Sequence, residues 1–168
     1  MIRVLHAVGI LNAAVWLGVS VFFTFVAGPA FFSEDMLALL GRPHAGAAAQ
    51  VVLARYYLLH EVCALLALAH LIWEAIYLGR PIWRWTLALL AALLLLVCVG
   101  DYGFRPKLHS LHRATYRPGT PEPMQQMAER SFRMWHGLSQ TLNLIVVVGV
   151  FAYFYRLTLV QTDPRLRA

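Results

Sequence analysis

The sequence predicts an all-α fold, an integral membrane four-helix bundle with short interfacial helices in the first and third loops. Three observations carry the prediction. The 168-residue chain is 60% hydrophobic and only 13% charged, against roughly 45–50% and 25% in soluble domains. Its mean hydropathy is +0.64. Four apolar stretches, about residues 4–26, 57–78, 82–99 and 133–155, approach the ~20 residues that cross a hydrocarbon core of about 30 Å. The length suits a single transmembrane domain over residues 1–168.

The net charge is +6, and Lys107 is the only lysine. The basic residues lie between hydrophobic spans, where cationic side chains flank membrane helices beside anionic lipid. No basic stripe or nucleic-acid motif accompanies them, which argues against a nucleic-acid partner. Cys63 and Cys98 both fall inside spans, with no disulfide framework and no CxxC metal motif, so small core residues are expected.

The first span, about Val4 to Val26, has an apolar run longer than the usual 7–15 residues of a signal-peptide core, and Ala27-Gly28-Pro29 is a poor cleavage site. It reads as an uncleaved helix that Pro29 ends. His6, Gly9, Ala13, Trp16, Ser20 and Thr24 share one face, and small residues on such a face permit close helix approach. Asn12, at the edge of that face, is expected to bond across helices. Ser33-Glu34-Asp35 then reads as a helix start with anions near its positive end. Gly41-Arg42-Pro43 breaks that short helix, and an alanine-rich piece from about Ala45 to Ala54 follows. Both pieces are too short to span and are expected at the interface.

The second span, from Tyr57, organises the chain. It is almost wholly apolar yet carries His60, Glu61, His70 and Glu74. At 100° per residue, His60, Cys63, Ala67, His70 and Glu74 fall within an arc of about 80°, while Glu61 points elsewhere. Ionisable groups at bilayer depth cost several kcal/mol, so such a stripe faces a bundle interior or a wet cavity. The bland alternative is that these side chains only satisfy one another. Gly79-Arg80-Pro81 makes a tight connection to the third span, so the two helices are expected to be antiparallel neighbours. Trp83 and Trp85 fit an interfacial anchor with Arg80 and Arg84. The third span is leucine-rich and is expected to stop at the polar run Gly100 to Lys107.

The loop from Leu108 to Arg130 holds His109 and His112, a weak metal-binding spacing, and then a proline-rich part expected to be mobile. The fourth span begins near Phe132, with His136, Ser139, Gln140, Asn143 and Val147 on one face. Four spans put both termini on one side. Arg3, Arg80, Arg84, Arg156, Arg165 and Arg167 lie on the terminal side, and eight basic residues lie on the loop side. That balance leaves orientation open. At ~1.5 Å per residue, His60, Glu61 and His136 fall toward the loop side with Asp101. His6, His70 and Glu74 fall toward the terminal side. Asn12 and Asn143 bridge an apolar middle. The pattern suits an ion or proton path, a metal site, a pair of haem ligands, or interior hydrogen bonding.

The run His6, Trp16-Leu17-Gly18 and Phe22-Phe23-Thr24-Phe25-Val26-Ala27-Gly28 resembles the first helix of the transmembrane protein 205 family. Phe132-Arg133-Met134-Trp135-His136-Gly137-Leu138-Ser139, with Asn143-Leu144 after it, resembles that family's last helix, and Arg105-Pro106-Lys107 is a weaker match. The resemblance implies a small four-helix membrane domain of unknown function with bacterial and animal members. It also implies passage of a soft metal past sulfur side chains, for which this chain offers Cys63, Cys98 and a few methionines. A first-helix histidine like His6 is similar to that of the HemJ-type protoporphyrinogen oxidase and copper-resistance D group. The HemJ type also uses a lysine in its third helix, where this chain has none.

Three functions follow as expectations. The first is a multi-pass protein of a bacterial inner membrane that handles a small ion or metal. His60, Glu61 and His136 would form the loop-side site, with His6, His70 and Glu74 beyond it. The second is a haem- or porphyrin-linked redox protein using His6 and His70, or His60 and His136, as axial ligands. The third is a structural or accessory membrane protein. Membrane lipid is the expected partner, the cofactor is left open between a metal ion and haem, and an oligomer is compatible with the pattern. No nucleophile–base triad, phosphate loop or zincin motif is present, so the reading leans away from an enzyme.

Overall fold

The computed structural model describes residues 2–79 and 82–162, with side chains at 4–77, 79 and 82–159. The expected charges at Arg3, Arg80, Arg165 and Arg167, and the Pro81 end of the tight connection, lie outside the described residues. Four long helices form an up-down-up-down bundle. We label them α1 (Ile2–Phe22), α2 (Glu34–Leu78), α3 (Arg84–Cys98) and α4 (Glu122–Thr162). Helix α1 packs on α2 and α4, and α3 also packs on α2 and α4, so α1 and α3 lie across the bundle from each other.

The packed centre holds Ala13, Trp16, Ala64, Ala67, Leu90, Leu93, Val97 and Val150. The outside is the reverse of a soluble surface, with Leu65, Leu66, Ile76, Leu95, Val148 and Phe151 all exposed. Such a surface is at home in hydrocarbon, where helices satisfy their backbone groups internally. Four helices are long and apolar enough to cross a membrane.

The first span ends as expected, at Ala30, one residue past Pro29, whereas the third does not stop at its polar run. A π turn over Phe23–Ala27 carries α1 on to Gly28–Ala30, and a second over Val99–Phe104 carries α3 on to Arg105–Tyr116. The reason is the same in both. A proline inside a helix lacks an N–H and its ring clashes with the carbonyl four residues back. Here the residue just before each proline bonds five residues back, Gly28 N–H to the Phe23 carbonyl and Arg105 N–H to the Gly100 carbonyl. That wider turn makes room for the rings of Pro29 and Pro106. The polar run Gly100–Lys107 is therefore helical.

Ser33 caps the start of α2, accepting from the Met36 N–H and donating to the Ala30 carbonyl. Gly41 then breaks the helix with φ 67 and ψ 160, a backbone conformation that glycine adopts without a Cβ penalty. Beyond it the alanine-rich piece is continuous with the organising helix and not a separate element. Gly79, in the left-handed region, terminates α2. The proline-rich loop is reduced to a turn before Glu122, held by Thr120 N–H to the Arg117 carbonyl and Met124 N–H to the Pro121 carbonyl. On the loop side three helices thus run well past their apolar spans.

Candidate functional site

The site is built in layers along the bundle. In the deepest of these, His60 of α2 is 1% exposed. Its Nδ1 accepts from the Trp16 indole N–H at 3.0 Å. An indole can only donate, so Nδ1 is unprotonated and the proton sits on Nε2. The Ser20 hydroxyl, 3.3 Å from Nε2, donates to the Trp16 carbonyl at 2.6 Å and so accepts from the imidazole. Trp16, Ser20 and His60 close a ring of bonds between α1 and α2 that uses both imidazole nitrogens. Beside it Asn12 donates to the Cys63 carbonyl at 2.9 Å.

One turn toward the loops, three helices are tied by a second chain. Tyr56 of α2 donates to Asn143 Oδ1 of α4 at 2.7 Å, Asn143 Nδ2 donates to Thr24 Oγ1 of α1 at 2.8 Å, and Thr24 donates to the Ser20 carbonyl at 2.6 Å. Tyr56 also stacks on Phe23 and lies tilted against His60, with centroids 4.2 Å apart in each case.

This chain floors a cavity of about 860 Å³ bounded by all four helices. Drug-sized ligand sites are roughly 300–1,000 Å³. Its walls include Phe23, Phe25, Phe31, Leu53, Phe132 and Leu144, and its polar lining includes Gln50, His112, His136, Ser139 and Gln140. Arg42, Arg133 and Glu129 also line it, and Arg133 lies 3.4 Å from Glu129. His136 stacks on Phe132. Among the described residues its ring makes no hydrogen bond. His112 Nε2 is buried without a partner, pressed against Gly46, where an added Cβ would come within 2.3 Å of it.

The sequence-predicted site residues separate into three places. His136, Ser139 and Gln140 line the cavity, with Asn143 in its floor. His60 lies beneath the floor. Glu61 faces α3, where the Tyr102 hydroxyl is 3.5 Å from Oε2, and its Oε1 is buried without a partner. At the terminal end, His70 donates from Nε2 to the Leu5 carbonyl at 2.9 Å, His6 Nε2 is buried without a partner, and Glu74 is within electrostatic range of Tyr153 and Arg156 on α4. Arg156 also stacks its guanidinium 3.9 Å from the Trp83 ring centroid. Packed apolar side chains, Leu90, Leu93, Val97 and Val150 among them, fill the middle of the bundle between the two ends. Among the described residues no group of three or more His, Cys, Asp or Glu side chains is placed to hold a metal ion.

Tyr56 and Gln50 escaped the sequence reading. Tyr56 lies four residues before His60 and so shares its face, a signal that was present. Gln50 lies in the alanine-rich piece, whose continuity with α2 had no local marker.

Residues 11–117, from within α1 to just past the end of the α3 extension, match a family described as a domain of unknown function, DUF4149. No curated protein and no solved structure matches the chain.

Proposed function

The chain belongs to the DUF4149 family, a domain of unknown function, and from that premise we propose that this multi-pass membrane protein binds a small amphipathic solute in its loop-side cavity. The cavity is the observation that carries the reading. It has aromatic walls, a polar floor shared by three helices, and His136 with no hydrogen-bond partner among the described residues. Its charged lining is Arg42 and Arg133 against Glu129, which suits an anion or a neutral amphiphile better than a metal cation. The ion-handling role expected for His60, Glu61 and His136 thus narrows to His136. His60 supports the floor from beneath, and the packed middle closes the route to His6, His70 and Glu74. The motifs around Trp16 and His136 support a protein of the transmembrane protein 205 type, for which we propose a bacterial inner membrane.

The full chain in neutral detergent would be titrated with naphthalene-1-sulfonate, an amphipathic anion, and separately with Zn²⁺. Saturable sulfonate binding near one per chain is expected, weakened about tenfold by His136→Ala, with no saturable Zn²⁺ site. Stoichiometric Zn²⁺ lost on His136→Ala would restore the metal reading. Absence of both would sink the cavity reading.

One observation favours a second reading. Both nitrogens of His60 are used inside the protein, as they are where polar groups only specify helix packing. For the same reason His60 offers no free lone pair to a haem iron, so the porphyrin reading would rest on His6, His70 or His136.

A further inference from the structure

A second concavity, about 1320 Å³, runs between α2 and the loop-side extension of α3. It is separate from the cavity above, although Gln50, His112 and Tyr116 line both. Its α3 wall carries Asp101, Arg105, His109, Arg113 and Arg117, each four residues after the last. Residues at that spacing stack on one helix face. Asp101 is engaged by Arg105 four residues on. Arg55 joins from α2, whose remaining wall residues are Ala47, Gln50, Val51 and Ala54. The groove thus holds four guanidiniums against one carboxylate. Among the described residues Arg55, Arg113 and Arg117 have no ion-pair partner.

Like charges at this spacing destabilise a helix by a few tenths of a kcal/mol per pair, and a helix end with such a stripe gains stability from an anion. The small side chains of Ala47 and Ala54 leave the opposite wall open. Guanidinium forks match phosphate oxygens two at a time. The stripe begins where the apolar span of α3 ends and extends about 20 Å along the helix at ~1.5 Å per residue.

We propose that this groove between α2 and α3 binds a phosphate group, with Arg113 and Arg117 as its principal ligands and Arg55 opposite them. The phosphate is carried either by an anionic lipid whose headgroup rises into the groove or by a soluble phosphate ester that enters from the aqueous side. The proposal does not depend on the cavity being a ligand site.

The test uses the full chain in a neutral maltoside detergent with two probes, dihexanoylphosphatidylglycerol and glycerol 3-phosphate, read by thermophoresis. Saturable binding of at least one is expected, weakened about tenfold or more in Arg113→Gln/Arg117→Gln. The charge-matched Arg84→Gln/Arg130→Gln, which removes two exposed arginines outside the groove, should bind within about twofold of the parent. Binding of the lipid alone assigns a headgroup site, and binding of glycerol 3-phosphate, with or without the lipid, assigns access to soluble esters. Failure of both probes, or equal weakening in the two variants, overturns the proposal. Size-exclusion profiles of the two variants confirm that each is folded before they are compared.

Discussion

A polar side chain at bilayer depth is costly unless its donors and acceptors are answered, and His60 shows how few residues that takes. Trp16 and Ser20, one turn apart on α1, supply a donor and an acceptor at the spacing of the two imidazole nitrogens. Replacing Trp16 by Phe keeps most of the ring packing but leaves Nδ1 buried and unanswered, a loss of about 1–3 kcal/mol. Thermal unfolding in detergent of Trp16→Phe, His60→Ala and the double variant would show this as coupling, the double costing less than the sum of the singles. Additive losses would mean that the bond is energetically idle. At the other end of the same interface, an added Cβ at Gly9 would lie 2.5 Å from a His70 ring carbon. Gly9→Ala therefore forces the ring away from the Leu5 carbonyl and should cost about 1–3 kcal/mol, read as a lower Tm. An unchanged Tm would mean that the two helices separate freely. The helical period in the sequence shows which residues face inward. It does not show that Trp16 and not His136 meets His60, because that pairing depends on the register of α1 against α2 across 44 residues of chain.

The helices teach a different lesson about punctuation. Apolar length alone marks four helices and their order. Glycine and proline punctuate the helices in different ways. Gly41 and Gly79 both adopt positive φ and end regular helix, whereas Pro29 sits one residue before the end of its helix and Pro106 is carried through by a π turn. The difference is tertiary. On the loop side α3 continues because its extension, Arg105–Tyr116, packs closely on α4, so continuing the helix gains contacts that outweigh a strained turn. The cavity depends on those extensions, which is why its outline was hidden in the sequence while its polar face on α4 was visible. Gly41→Ala and Gly41→Asn should both lower Tm, each costing about 1–3 kcal/mol, since φ 67 with ψ 160 is a backbone region that essentially only glycine occupies. An unchanged Tm in both would show that the break can move to another residue.

At the scale of the whole molecule, an up-down-up-down path with the start of α1 and the end of α4 at one end of the bundle makes an accessibility prediction. Gln126, exposed near the start of α4, and Ile82, exposed just before α3, lie at opposite ends of the bundle. Single cysteines placed there should react with a membrane-impermeant maleimide from opposite faces of sealed vesicles. Reaction of both from the same face would overturn the threading. The native background should be low, because Cys63 is buried and Cys98 half-buried.

Past the ends of the apolar spans, the helices of the loop side go on for about 20 Å at ~1.5 Å per residue, while α1 turns back near the boundary at Ala30. The two aqueous compartments therefore meet different objects. One faces turns close to the bilayer surface. The other faces a three-helix pier with an open flank where the first helix falls short, the surface that the described helices offer to any soluble macromolecule in that compartment.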